Sequence, residues 1–129
     1  MDTPSSPQPH VLVVDDDPAL TRSLARVLRG AGFEVATAES GAAAIEHVRH
    51  STFDVVVSDI TMPEMDGIEL LRAIRAHDLD LPVLLLTGAP ALESAIGAVE
   101  YGAFKYLTKP AADDELISNV SRACGSQPG

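Results

Sequence analysis

The sequence predicts a doubly wound α/β domain, a single five-stranded parallel sheet of order 2-1-3-4-5 flanked by five helices. Three observations predict it. Short aliphatic runs alternate five times with stretches of helical period, which is the signature of right-handed βαβ units and a parallel sheet. Three of the runs are apolar on both faces, as central strands must be when helices cover both sides, and two carry charges, as edge strands do. The length, 129 residues, allows about one domain, large enough to bury roughly two-thirds of its unfolded surface.

The elements follow in order. Residues 1–9 hold three prolines and two serines and are expected to form a flexible tail. Val11–Val14 is the first apolar run. Leu20, Leu24, Val27 and Leu28, three or four apart, form the apolar face of a first helix, with Gly30 and Gly32 where it should stop. Phe33–Thr37 is the second run and carries Glu34. Ala42, Ile45 and Val48 face inward from a second helix. Val55–Val57 is the third run, followed by a helix with Leu70, Leu71 and Ile74. Val83–Leu86 is the fourth, followed by a helix with Leu92, Ile96 and Val99 that should end at Gly102. Phe104–Leu107 is the fifth run and carries Lys105. Leu116, Ile117 and Val120 mark the last helix, and residues 125–129 are expected to form a second tail, leaving 10–124 as the domain. With runs 1, 3 and 4 inside and 2 and 5 outside, the chain reverses its direction of winding between strands 1 and 3. Ligands of such sheets bind outside the carboxyl ends at that point.

Composition removes several functions. Hydrophobic residues make up 46% and aromatic residues only 4%, with no Trp, so the core is aliphatic. No apolar run exceeds four residues, against about 18 for a spanning helix, and the first nine residues have neither a basic n-region nor an apolar h-region. No membrane association is expected. Cys124 is the single cysteine, which excludes an intrachain disulfide and suits a reducing, cytoplasmic compartment. Nine Lys plus Arg against 19 Asp plus Glu give a net charge of −10. Nucleic-acid affinity comes chiefly from cations placed on phosphates, so direct nucleic-acid binding is not expected.

The carboxyl ends of the runs carry the chemistry. The first ends in Asp15-Asp16-Asp17-Pro18, the third in Ser58-Asp59, the fourth in Thr87-Gly88 and the fifth in Thr108-Lys109-Pro110. All four should open onto one crevice. Two like charges 4 Å apart repel by about 4 kcal/mol at an effective dielectric near 20, so Asp15, Asp16 and Asp59 need a counter-charge to converge. A hard divalent cation meets that need, and Mg²⁺ prefers one or two carboxylates with waters and phosphate oxygens.

The segments Val11-Leu12-Val13-Val14-Asp15-Asp16-Asp17-Pro18, Ser58-Asp59-Ile60-Thr61-Met62-Pro63-Glu64-Met65-Asp66-Gly67, Thr87-Gly88 and Lys109-Pro110 resemble, in order and spacing, the receiver domain of two-component response regulators, over about His10 to Ala123. The resemblance implies a chemotaxis-regulator-like, flavodoxin-like fold and a role for each residue. Asp59 is implied to be the phospho-acceptor. Asp16, Asp15 (more through water), Asp59 and the backbone carbonyl of Thr61 are implied to hold Mg²⁺ or Mn²⁺. Thr87 and Lys109 are implied to contact phosphoryl oxygens, with Thr87 and Tyr106 as the switch pair, and Lys109-Pro110 is implied to be a cis bond. The implied partners are a sensor histidine kinase or histidine phosphotransfer protein, and a downstream effector or a fused output domain. The protein would be a monomer, with a dimer open to its phosphorylated form. The chemistry agrees: a carboxylate is a recognised nucleophile for an acyl phosphate, and a metal and a lysine stabilise the charge spread over the transferring oxygens.

Plainer readings stand beside these. Asp17 before Pro18 reads as an N-cap, and Asp66-Gly67 as a turn and helix start. Thr87 could simply end a strand, Lys109 could be a solvated charge, and Tyr106 could be edge-strand packing. Arg22, Arg26 and Arg29 read as a solvated face, or as a docking surface for a phosphodonor helix. Cys124 reads as packing, and the four histidines lie away from the crevice. A flavin-binding reading fails because Asp15-Asp16-Asp17 would repel the flavin phosphate. A phosphatase of the haloacid dehalogenase kind would carry an acid where Thr61 stands. A degenerate receiver, used as an interaction module without phosphorylation, is the remaining alternative. No effector pattern follows residue 124, so the output is expected from a partner or from a longer chain.

Overall fold

The structure, a computed structural model, describes residues 8–125, so the expected tails lie almost wholly outside the described residues. Strands β1 (His10–Val14), β2 (Glu34–Ala38), β3 (Val55–Asp59), β4 (Val83–Thr87) and β5 (Lys105–Thr108) alternate with helices α1 (Pro18–Gly30), α2 (Gly41–His50), α3 (Gly67–His77), α4 (Leu92–Glu100) and α5 (Asp113–Gly125). The strands form one parallel sheet of order β2-β1-β3-β4-β5, as expected. Register follows the side-chain pattern: Val11 lies opposite both Val35 and Val55, and Asp59 opposite Leu86.

The period of two sorts the sheet's residues into two cores. Leu12, Val14, Val56 and Leu85 point to one face and pack with Val48, Leu70, Leu71 and Ile74 of α2 and α3. Val11, Val13, Val57 and Leu84 point to the other and pack with Leu28 of α1 and Leu116 and Val120 of α5. Full burial of each such side chain contributes about 1.5–3 kcal/mol. The charged edge residues Glu34 and Lys105 are exposed.

Helix ends are built as the residues dictate. The Asp17 carboxylate accepts from the Ala19 amide at 3.0 Å and caps α1, with Pro18 at its first position. Asp66 and Glu69 form a reciprocal capping box on α3. Gly32 (φ +100°) and Gly102 (φ +76°) take the left-handed conformation that ends α1 and α4. The cis Lys109-Pro110 bond is present.

Three helical faces depart from expectation. In α1 the deepest residues are Thr21, Ala25 and Leu28, with Leu20, Leu24 and Val27 only half-buried, so the face is turned by about one residue. In α2 Ala42 is exposed, and Gly41, Ala44 and Val48 are buried. In α4 the whole expected stripe is outside: Leu92, Ile96 and Val99 are 77%, 55% and 83% exposed, while Gly97 and Ala98 are buried. Periodicity reveals an apolar stripe but not which side the neighbours occupy. In α4 the small residues face inward because α3 comes close; a Cβ on Gly97 would stand 3.0 Å from Ile68 Cγ2.

Candidate functional site

The crevice lies at the carboxyl ends of β1, β3, β4 and β5. Asp15 follows β1 and is 2% exposed; its amide donates to the Ala38 carbonyl, and its Oδ1 accepts from the Asp17 amide at 2.9 Å. That bond fixes the carboxylate's orientation and turns the chain into α1. Asp16, between them, is exposed. Asp59 closes β3 and is 7% exposed. Gly67 keeps the start of α3 against it: a Cβ there would lie 2.5 Å from the Asp59 carbonyl oxygen and 2.8 Å from Ile60 Cα.

The three carboxylates converge, each placing an oxygen within 4.8 Å of the others. Lys109 is the counter-charge, its Nζ 3.0 Å from Asp15 Oδ2 and 3.2 Å from Asp59 Oδ1. Its backbone amide donates to the Thr87 carbonyl at 2.8 Å, which ties the loop after β5 to the end of β4. Burial raises the Asp59 carboxyl above its ordinary value, and the Asp15 charge adds to the rise. Lys109 and the Thr61 backbone amide oppose it. Burial works against the Lys109 charge, but the hydrogen bond and charge of Asp15, with those of Asp59, outweigh it and raise the ammonium's pKa. Lys109 is therefore held protonated.

Three carboxylates against one ammonium leave a formal charge of −2 in a small space. The donors are hard oxygens, and exposed Asp16 leaves the cluster open to solvent. That donor set suits a divalent cation with a taste for carboxylate and water. Among the described residues this is the one group of three or more such side chains able to share an ion.

Thr87 is buried, and its Oγ1 accepts from the Ala89 amide at 3.0 Å. Tyr106 is half-buried on β5, not turned to solvent. Its hydroxyl lies 2.7 Å from Ser94 Oγ and accepts from the Ala91 amide at 3.3 Å. The Ser94 contact was not legible in the sequence, because a serine inside a short helix carries no distinguishing pattern. Thr61 follows Asp59 by two residues and is exposed. Asp17 and Asp66 are caps, as expected. Arg22, Arg26 and Arg29 are exposed, and Arg29 donates to the Val35 carbonyl. Burial pushes the Cys124 thiol up to about 11, consistent with packing and not reactivity. The histidines sit at the start of β1 and the ends of α2 and α3, away from the crevice.

A parallel 2-1-3-4-5 sheet with an acid cluster and a lysine at its carboxyl ends defines a doubly wound α/β domain whose charged crevice opens where the winding reverses. The comparisons with known proteins make the class specific. The family model "Response regulator receiver domain" matches residues 11–121. The chain is 43% identical over 119 residues to the transcriptional regulatory protein ZraR of Klebsiella oxytoca, covering 92% of this chain and 27% of that protein. It is 44% identical over 112 residues to the transcriptional regulatory protein PrrA of Mycobacterium tuberculosis, covering 87% and 48%. Among solved structures, FixJ-N superposes with a TM-score of 0.87 at 30% identity, covering 96% and 99%. Chemotaxis protein CheY4 of Vibrio cholerae superposes at 0.85 and 32%, covering 90% and 98%. The chain belongs to the response regulator receiver family and is a receiver domain of two-component signalling. It spans about a quarter to a half of the length of the curated relatives it matches. None of the helices among the described residues is long and apolar enough to cross a membrane.

Proposed function

We propose that this domain is a phosphorylation-controlled switch in a histidine-to-aspartate relay, with Asp59 as its acceptor. The observation that carries the reading is the Lys109 ammonium, which bridges Asp15 and Asp59 within a cluster of three carboxylates. An Asp59 carboxylate oxygen attacks the phosphorus of a phosphohistidine. The P–N bond breaks, the imidazole nitrogen leaves with the bond's electron pair as part of a neutral ring whose other nitrogen carries the proton, and an acyl phosphate remains on Asp59. Asp15, Asp16, Asp59 and the Thr61 carbonyl would hold Mg²⁺, or Mn²⁺ in its place, which supplies charge neutralisation to the transferring oxygens. Lys109 shares its hydrogen bonds between Asp15 and Asp59 at rest and turns one of them to a phosphoryl oxygen, keeping its charge. Thr87 gives up its turn bond to Ala89 to donate its hydroxyl to another.

The phosphodonor is a sensor histidine kinase or a histidine phosphotransfer protein, in the cytoplasm. The output leaves by the face of α4, β5 and α5, toward an effector or an attached output domain. The exposed Leu92, Ile96 and Val99 support that assignment, since contiguous apolar surface marks interaction sites. The domain turns over no external substrate, rests as a monomer and does not itself hold duplex DNA.

The test is intact mass after incubation with acetyl phosphate and Mg²⁺. Wild type should gain one phosphoryl group, stable in acid and lost in base, and Asp59→Asn should gain none. Asp16→Ala should lose Mg²⁺ binding and labelling together. Labelling of the Asp59→Asn protein moves the acceptor elsewhere, and an unlabelled wild type favours a degenerate interaction module.

A further inference from the structure

The two ends of α4 are held differently. Its C-terminal end is clasped by α3: Arg75, anchored on the Leu81 carbonyl before β4 at 2.6 Å, donates to the Gly102 carbonyl just past the helix at 2.9 Å, and the Arg72 guanidinium lies 5.2 Å from the Tyr101 ring centre. Its N-terminal end has no side-chain cap, because Ala91 stands at the capping position. Little apolar burial compensates, since only Gly97 and Ala98 of α4 are buried.

What holds the first turn is a chain of hydroxyls. Ser94 Oγ donates to the Ala91 carbonyl at 3.0 Å, and this uses its one proton. In the 2.7 Å contact between Ser94 and Tyr106, the Tyr106 hydroxyl is therefore the donor and Ser94 the acceptor. The same Tyr106 oxygen accepts from the Ala91 amide at 3.3 Å, so a residue of β5 satisfies the free amide of the cap position.

We propose that Ser94 is the positioning residue of the switch: its hydroxyl holds Tyr106, and through it the first turn of α4, in the resting arrangement. The proposal rests on the switch reading above and names the element that sets its resting balance. Thr87 stands four residues before Ala91, so a displacement at the end of β4 reaches the uncapped turn first, and the clasped end of α4 serves as the pivot. Without the Ser94 acceptor the resting arrangement loses one neutral hydrogen bond. A bond of that kind moves a two-state population about three- to tenfold.

The experiment uses Tyr101→Phe as background, which leaves Tyr106 as the one tyrosine in a chain without Trp. On it are placed Ser94→Ala, which removes the hydroxyl, and Ser94→Thr, which keeps it. The expected result is that Ser94→Ala raises acrylamide quenching of Tyr106 emission and tightens Mg²⁺–beryllofluoride binding by about three- to tenfold, with Ser94→Thr behaving as the background does. A Ser94→Ala protein that matches the background in both measurements overturns the proposal. So does weaker beryllofluoride binding, or a Ser94→Thr protein that departs as far as Ser94→Ala. If none of the proteins takes beryllofluoride the acceptor reading falls instead, and the quenching comparison still decides whether Ser94 holds Tyr106.

Discussion

Replacing Asp59 by Asn in metal-free buffer should stabilise the protein. In the crevice the ionised Asp59 faces Asp15 and Asp16 at no more than 4.8 Å between nearest oxygens, and Lys109 at 3.2 Å. At an effective dielectric near 20 each repulsion costs at least about 3.5 kcal/mol and the attraction returns about 5. The two repulsions exceed the one attraction by about 2 kcal/mol, and desolvation of a nearly buried carboxylate adds to the cost. Exposed Asp16 is screened by solvent, so the charge terms come close to cancelling and the burial of the carboxylate, the first cause of its raised pKa, carries the balance; about 1–2 kcal/mol of net gain is expected on neutralising Asp59. In a domain of this size that raises the melting temperature by roughly 3–10 °C. The pH dependence has a definite sign. The folded-state pKa of Asp59 is raised above its ordinary value, so its contribution is fully present below the unfolded pKa and is lost as pH rises through the folded one. Wild type should therefore lose stability across that window while Asp59→Asn does not, and Mg²⁺ should narrow the gap by stabilising wild type more. Calorimetric melts of both proteins, in EDTA and in millimolar Mg²⁺, decide it. An Asp59→Asn protein that melts at or below wild type in EDTA refutes the charge-cluster argument.

Other consequences are direct. Gly67→Ala would push a Cβ into the Asp59 carbonyl and Ile60 backbone, so it should cost about 2–3 kcal/mol in urea unfolding and slow acetyl phosphate labelling with it. Glu64 holds φ at +70°, so Glu64→Gly should raise the unfolding free energy by about 1 kcal/mol, read as a higher urea midpoint at constant slope. Leu92→Ser and Val99→Ser should change stability by no more than about 0.5 kcal/mol, whereas Leu71→Ala should cost about 2–5; equal losses would mean that α4 packs with the opposite face inward.

The sheet and the crevice were legible because both depend on local pattern. Both-face apolar runs such as Val11–Val14 and Val83–Leu86 specify central strands, charged Glu34 and Lys105 specify edges, and βαβ handedness orders the rest. The acids of Asp15, Asp16 and Asp59 and the base of Lys109 stand at strand ends, and a parallel sheet brings its carboxyl ends together whatever the helices do. Which way a helix face turns is not local. The stripe of Leu92, Ile96 and Val99 has the period of a buried face, yet α4 lies with Gly97 and Ala98 inward because α3 leaves room only for small residues there. The division of Lys109 between two carboxylates was beyond the sequence for the same reason, as were the docking of Tyr106 on Ser94 and the carbonyl clasp of Arg75. Periodicity records which residues share a side, whereas these contacts depend on distances between elements far apart in the chain, and those are settled only when the cores on the two faces of the sheet pack.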